Sequence, residues 1–344
     1  RVAIFTPYDW YFREMPVLNG FSDGHASLAV SVALMLGAAM LAFRRRDLQT
    51  TVALPGSRRR RGRAEASRAT ALRSGRLLTS VFGKSIWLRR RSIIVWALGL
   101  CGIAALTMLF WPMLKGSIAE FQAIVDMFPR EVFAAFGMSD PNDLLTAGGF
   151  VSSRVYASAG LILVLAFAIG MGTASIGGEE RRGTMELQLA SPLTRRRILL
   201  EAFAAMLTLI AVLGLALCVV MAAGNATIGL DLSLESIVAA TTGLALTGVF
   251  FGALALALGA ATGSNAIARG VPTAVAIGGI LLNGLGAVVA GFAPFRYLSP
   301  IYWFLADTPP LLRGFSAGPL VLLGAALVAV GIGVAGFERR DLAR

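Results

Sequence analysis

Apolar positions along the chain gather into long unbroken runs, and the polar connections between them are either rich or poor in arginine. Seven runs approach the ~20 residues a helix needs to cross a bilayer. They lie at about 26–43, 93–111, 155–176, 198–222, 237–262, 271–292 and 319–337. Continuous rather than alternating runs of this length read as spanning helices, not strands. The pattern therefore predicts an all-α integral membrane fold, a polytopic helical bundle with about seven transmembrane helices. Before the second run, Leu78, Val81, Phe82, Ser85 and Ile86 recur at helical spacing, with Trp87 and Arg89, Arg90 and Arg91 behind them. That spacing predicts an interfacial helix over 77–91, lying on the membrane and leading into the span from Ser92. Segment 112–154 mixes Phe121, Val125, Phe128 and Phe133 with scattered charge, and predicts short amphipathic helices at one membrane surface.

Composition supports the same class. The chain is 56% hydrophobic and 15% charged, with a mean hydropathy of +0.74, whereas soluble domains are about a quarter charged. The net charge of +12 does not indicate a nucleic-acid groove, because the arginines are confined to the gaps between apolar runs. Segments 44–92, 178–197, 263–270 and 338–344 carry 24 Lys and Arg, against seven in 1–25, 112–154, 223–236 and 294–318. The positive-inside rule assigns the rich segments, including the C-terminus, to the cytoplasm of a cell inner or plasma membrane. Cys101 and Cys218 fall inside apolar runs and read as packing residues. His25 is the only histidine, which excludes a histidine-based metal centre or triad. The Asp126, Glu131, Asp140 and Asp143 group matches no calcium-loop spacing. Asn225-Ala226-Thr227 forms a glycosylation triplet that carries no weight here.

The chain also repeats itself. "FTPYDWYFREMPVLNGF" at 5–21 resembles "LSPIYWFLADTPPLLRGF" at 298–315, and the spans that follow close on "FRRRDL" at 43–48 and "FERRDL" at 337–342. Two motifs in the same order point to a duplicated unit. Residues 1–48 read as the tail of a first transmembrane half, 49–76 as an Arg-rich cytoplasmic linker and 77–344 as a second half of six spans. Since the chain begins on Arg1, the remainder of the first half is expected upstream.

Gly83-Lys84-Ser85 has the ending of a phosphate-binding loop, but Leu78 stands where that loop needs glycine. No other nucleotide signature is present, so any ATP must be bound by another subunit. Mid-span ionisable residues are also missing, which disfavours a self-sufficient proton-coupled carrier. Gly248 with Gly252, and Gly259 with Gly263, give spacing for close helix contact. Glu201 stands four residues after Arg197, the spacing of an interfacial ion pair.

The remaining feature is "GGEERRGTMELQLASPLTRRRILLEAF" at 177–203. Gly177-Gly178 end a span, Glu179 and Glu180 suit the first turn of a new helix, and Arg182 pairs with Glu186 four residues on. Met185 and Leu189 form a short apolar stripe. The helix must stop before Pro192, with Ser191 as the next N-cap and Pro192 as the next first helical position. A short helix over 179–190 therefore projects between two spans or lies flat on the membrane. Its residues resemble the signature of ABC-2 type permeases: Glu179/Glu180, Gly183-Thr184 and Glu186, then Pro192, Thr194 and Arg195. Glu201-Ala202 stands where many relatives have Gly-Lys. The paired halves resemble fused actinobacterial permeases that export antibiotics or multiple drugs.

The resemblance implies a non-enzymatic permease subunit of an ABC transporter, with ATP and Mg held by a separate, dimeric ATPase. It implies that Glu179, Glu180, Arg182, Gly183, Thr184, Met185, Glu186, Leu189, Pro192 and Arg195 couple to that ATPase. The expected cargo is a hydrophobic drug, antibiotic or lipid, moved by efflux between the halves. Arg154, Tyr156, Ser158, Thr273 and Asn283 are the candidate polar groups along the path, and Pro300, Tyr302 and Trp303 form a candidate outer gate or an aromatic interfacial anchor. Two rivals remain open at this level: a proton-coupled secondary transporter, and a non-transporting scaffold or sensor.

Overall fold

The chain divides into two units, 1–74 and 75–344, and the computed structural model describes residues 80–127, 133, 138, 140–175 and 194–340, all in the second unit. The expected span at 26–43, the repeat at 5–21 and the linker at 49–76 lie outside the described residues. The other six expected spans are all present as helices long and apolar enough to cross a membrane, and no strand occurs among the described residues.

Helix α1, Val81–Gly116, is 36 residues long. At 1.5 Å per residue it measures ~54 Å, well beyond a ~30 Å hydrocarbon core. Residues 81–91 of the expected interfacial segment are thus the first part of this one continuous helix, with no break at Ser92. Ser80 caps its start by accepting from the Gly83 amide. Beyond it, α2 (Ile118–Val125) and a 3₁₀ turn (Pro141–Leu145) form a small surface layer. There Val125, Phe133 and Met138 bury one another against Phe121, Leu144 and Leu145, as the amphipathic spacing anticipates. Asp140 caps the 3₁₀ turn by accepting from Asn142, a structural role for one member of the acidic group.

The next span starts earlier than hydropathy suggests. Helix α3 (Ala147–Val151) runs through a π-helical turn (Ser152–Tyr156) and on to α4 (Ala159–Ser175). Single π turns inside helices often accompany functional sites. Here the turn lets Ser158 donate to the carbonyls of Ser153 and Arg154 at 2.8 and 2.9 Å.

Helices α5 (Arg195–Ile228), α6 (Leu234–Thr262), α7 (Asn265–Val288) and α10 (Gly318–Arg339) complete the spans. Between α7 and α10 lie a 3₁₀ stretch (Ala290–Leu298), α8 (Pro300–Leu305) and α9 (Pro310–Arg313). Helix α6 is central, packed against α4, α5, α7 and α10. Small residues make this possible. Gly172 of α4 has no room for a side chain against the backbone of Gly252 and the Cβ of Ala255, so the two helices touch backbone to backbone. Gly248 and Gly252 pack on Val164 and Met206, and Gly333 and Gly336 of α10 lie on Ala257 and Ala261. Of the expected contact glycines, Gly263 plays a different part: it is the left-handed C-cap of α6, with φ +68°. Asn225 also has a structural role, holding the α5–α6 connection by bonding both the amide and the carbonyl of Leu232, at 3.0 and 2.8 Å.

Candidate functional site

The signature residues Glu179, Glu180, Arg182, Gly183, Thr184, Met185, Glu186, Leu189 and Pro192 lie outside the described residues. The helices on either side of them are described, and their ends are tied to the rest of the bundle. At the end of α4, the Thr173 hydroxyl donates to the Ala268 carbonyl of α7 at 3.3 Å as well as to its own turn. Arg89 of α1 donates to the Ser175 hydroxyl at 3.4 Å. The last turn before the signature is thereby bonded to the first turns of α7 and to α1.

The other flank is held as firmly. Helix α5 begins at Arg195, capped by Thr194, whose backbone is extended and whose hydroxyl accepts from the Arg197 amide at 3.3 Å. This corrects the expectation that Pro192 is the first residue of that helix; the cap falls three residues after Ser191. Arg195 does not project freely. Its guanidinium donates to the carbonyls of Phe337 (3.0 Å) and Arg340 and lies 5.7 Å from the Phe337 ring. It therefore satisfies carbonyls that the C-terminus of α10 leaves open. Arg340 in turn covers the C-terminus of α6, reaching toward the Ala260 carbonyl at 3.5 Å, and its guanidinium occupies the space a side chain at residue 263 would need. A cation there also complements the helix dipole.

Glu201 completes the set. It makes the expected ion pair with Arg197, at 2.8 Å, and its second oxygen accepts from the Phe82 amide of α1 at 3.3 Å. The carboxylate thus occupies the N-terminal end of α1, where unsatisfied amides and the dipole favour an anion. This second contact joins positions 119 residues apart, which is why local spacing gave no sign of it. Phe337 and Arg340 did have a signal, because the repeated ending "FERRDL" at 337–342 contains them.

The candidate path residues do not form one group. Tyr156 is fully buried and its hydroxyl is shared with Thr241 of α6 at 2.9 Å. Ser158 is committed to the π turn. Thr273 is exposed on α7 and bonds back to the Arg269 carbonyl of its own helix at 2.8 Å. Asn283 is buried in α7, and its Oδ1 has no hydrogen-bond partner among the described residues. Arg154 is exposed on the π turn, 5.8 Å from the Phe150 ring.

At the opposite, arginine-poor end, the candidate gate is a bonded unit. Ser299 caps α8, accepting from the amides of Ile301 and Tyr302, while its hydroxyl donates to the Gly279 carbonyl of α7 at 2.7 Å. Pro300 takes the first helical position. The rings of Tyr297, Tyr302 and Trp303 stack edge to face, and the Trp303 indole donates to the Tyr297 carbonyl at 2.9 Å. Arg296 lies over Tyr302 and pairs with Asp307 at 2.9 Å. Burial, and then the negative charge of Asp307, push the Tyr302 phenol above its usual range. Arg313 caps the C-terminus of α8 through the carbonyls of Phe304 and Leu305, at 2.6 and 3.1 Å. The Leu311 amide donates to Ser152 in the π turn, at 3.1 Å. This end is therefore a braced structure rather than a loose loop.

A search of curated proteins returns no match. The family model for the ABC-2 family transporter protein matches residues 80–342, most of the chain and all of its described spans. With six apolar helices among the described residues enclosing a shared core, the chain is a multi-pass membrane component of a transporter and belongs to the ABC-2 transporter family.

Proposed function

We propose that the chain is the permease of an ATP-driven exporter, worked by a separate ABC ATPase that docks on residues 179–190. The observation that supports this reading is the anchoring of both flanks of the signature. The end of α4 is bonded to α1 and α7, and the start of α5 is bonded to α10 and α1. A displacement imposed between Ser175 and Thr194 acts on all of these helices together, because packed interiors transmit strain rather than absorb it. A partner whose contacts with 179–190 differ between its ATP-bound and ATP-free forms is sufficient to shift the bundle between two arrangements. ATP and Mg belong to the ATPase.

In this reading the arginine-rich end faces the cytoplasm, and cargo moves outward between this half and its counterpart. The outward face of α7, with Thr273 between exposed Gly270, Ile277 and Leu281, supplies one wall. Such a wall suits a hydrophobic drug, antibiotic or lipid. Tyr302, Trp303 and Pro300 close the far end. The coupling claim is tested by Glu180→Lys and Gly183→Pro in the permease–ATPase complex. Both variants are expected to abolish substrate-stimulated ATP hydrolysis while the permease still inserts. Normal stimulation in either one contradicts the coupling role.

A further inference from the structure

Helix α1 is the least buried of the six described spans, and its two sides differ. Phe82 and Arg89 face the bundle, where they meet the Glu201 carboxylate and the Ser175 hydroxyl, and Leu100 is buried in the core. Trp87, Arg91, Ile94 and Leu98 recur at helical spacing, which puts them on one stripe, and all four are exposed. No charged residue occurs between Arg91 and Lys115. At 1.5 Å per residue that uncharged stretch is ~35 Å long, close to the thickness of a hydrocarbon core. Because α1 runs unbroken through Ser92, Arg91 stands at the edge of the hydrocarbon. Trp87 lies one turn outside it, at headgroup depth, where tryptophan concentrates. Exposed Ile94, Val95 and Leu98 carry the stripe into the core of the bilayer.

The charge at this level is of one sign. Side chains on a helix lean toward its N-terminus, so Arg90 and Arg91 reach back toward Trp87. The Arg90 guanidinium lies 3.5 Å from the centre of the indole ring. Both arginines are exposed, and Arg91 makes no hydrogen bond or ion pair among the described residues. Helix α1 carries no carboxylate, and Glu201, bonded to its first turn on the inner side, is already paired with Arg197.

We propose that this stripe binds an anionic phospholipid of the leaflet at the arginine-rich end, its phosphate held by Arg90 and Arg91 and one acyl chain lying along Ile94, Val95 and Leu98. Guanidinium groups present a fork of donors that matches phosphate oxygens, and arginines at a membrane surface attract anionic lipid. The two cations stand where the exposed, uncharged side of a spanning helix begins, which is the depth of lipid phosphates. The site needs only the membrane-embedded fold and holds whichever side of the membrane that leaflet faces. It therefore stands or falls separately from the proposed coupling and direction of transport.

The test uses the full chain in phosphatidylcholine vesicles. These are doped with phosphatidylglycerol carrying a diazirine midway along one acyl chain, or with phosphatidylcholine carrying the same chain. Photolabelled positions are mapped by mass spectrometry. Phosphatidylglycerol is expected to label 94–102 about fivefold more than phosphatidylcholine does. No such preference is expected at exposed Leu215 and Val219, toward the arginine-poor end of α5. Salt screens exposed charges, so the preference should fall below about twofold in ~1 M NaCl. Arg90→Gln combined with Arg91→Gln is expected to abolish it while phosphatidylcholine still labels the helix, and Arg90→Lys with Arg91→Lys is expected to keep about half or more. Equal labelling by the two lipids, or a preference that survives the glutamine pair, overturns the proposal. So does an unlabelled 94–102 beside labelled Leu215 and Val219, which means that protein covers the stripe.

Discussion

Glu201 shows how much a single side chain can hold together. Its two oxygens serve Arg197, one turn earlier on α5, and the first turn of α1. Removing it leaves helix-terminal amides without a partner and an arginine without its carboxylate. Glu201→Ala is expected to lower stability by about 1–2 kcal/mol, seen as a reduced Tm in detergent. Amide exchange should quicken at 82–84 and not at the far end of α1. Uniform exchange along α1 in the variant contradicts the capping role. The sequence made the Arg197 pair legible, since it depends only on a spacing of four. The Phe82 contact depends on how two helices meet, which no local pattern encodes.

At the scale of elements, all six described spans were readable because hydrocarbon thickness and helix rise set their lengths almost independently of tertiary detail. The boundaries were less readable where local chemistry decides them. Hydropathy starts this span at residue 155, yet the helix already begins at Ala147 and continues through Ser152–Tyr156 as a π turn whose carbonyls Ser158 satisfies. Similarly, Pro192 looked like a helix start, while the extended backbone and hydroxyl of Thr194 place it at Arg195. The helix crossings were partly visible as small-residue spacing. Only the structure separates glycines that need to be glycine from those that do not. Gly172→Ala forces a Cβ into the backbone of Gly252 and should cost about 1–3 kcal/mol. Gly270→Ala on α7 meets nothing within 4 Å and should be neutral or stabilising by up to ~1 kcal/mol. Thermal unfolding of the pair in one detergent checks both. Equal losses rule out the α4–α6 crossing as the cause.

For the molecule as a whole, the two ends of the bundle differ in kind. The arginine-rich end is a set of helix termini bonded across to one another, with Arg195, Glu201 and Arg340 each satisfying another helix's end. The arginine-poor end is braced by Ser299, Arg296 and Arg313 around short helices. This polarity was visible in the count of basic residues along the connections; the bracing was not, because it depends on contacts between distant segments. Orientation can be measured with Cys101 and Cys218 replaced by serine. A cysteine at exposed Ala317 is expected to react with an impermeant maleimide in whole cells, and one at exposed Thr262 only after permeabilisation. The reverse pattern inverts the topology.

The central claim is that work enters between α4 and α5. It is tested most directly by a photo-crosslinking amino acid placed at Met185 in membranes containing the whole transporter. The account predicts a covalent adduct to a protein that mass spectrometry identifies as an ABC ATPase, with a yield that changes between ATP-bound and nucleotide-free states. Adducts to lipid alone, in every nucleotide state, contradict it.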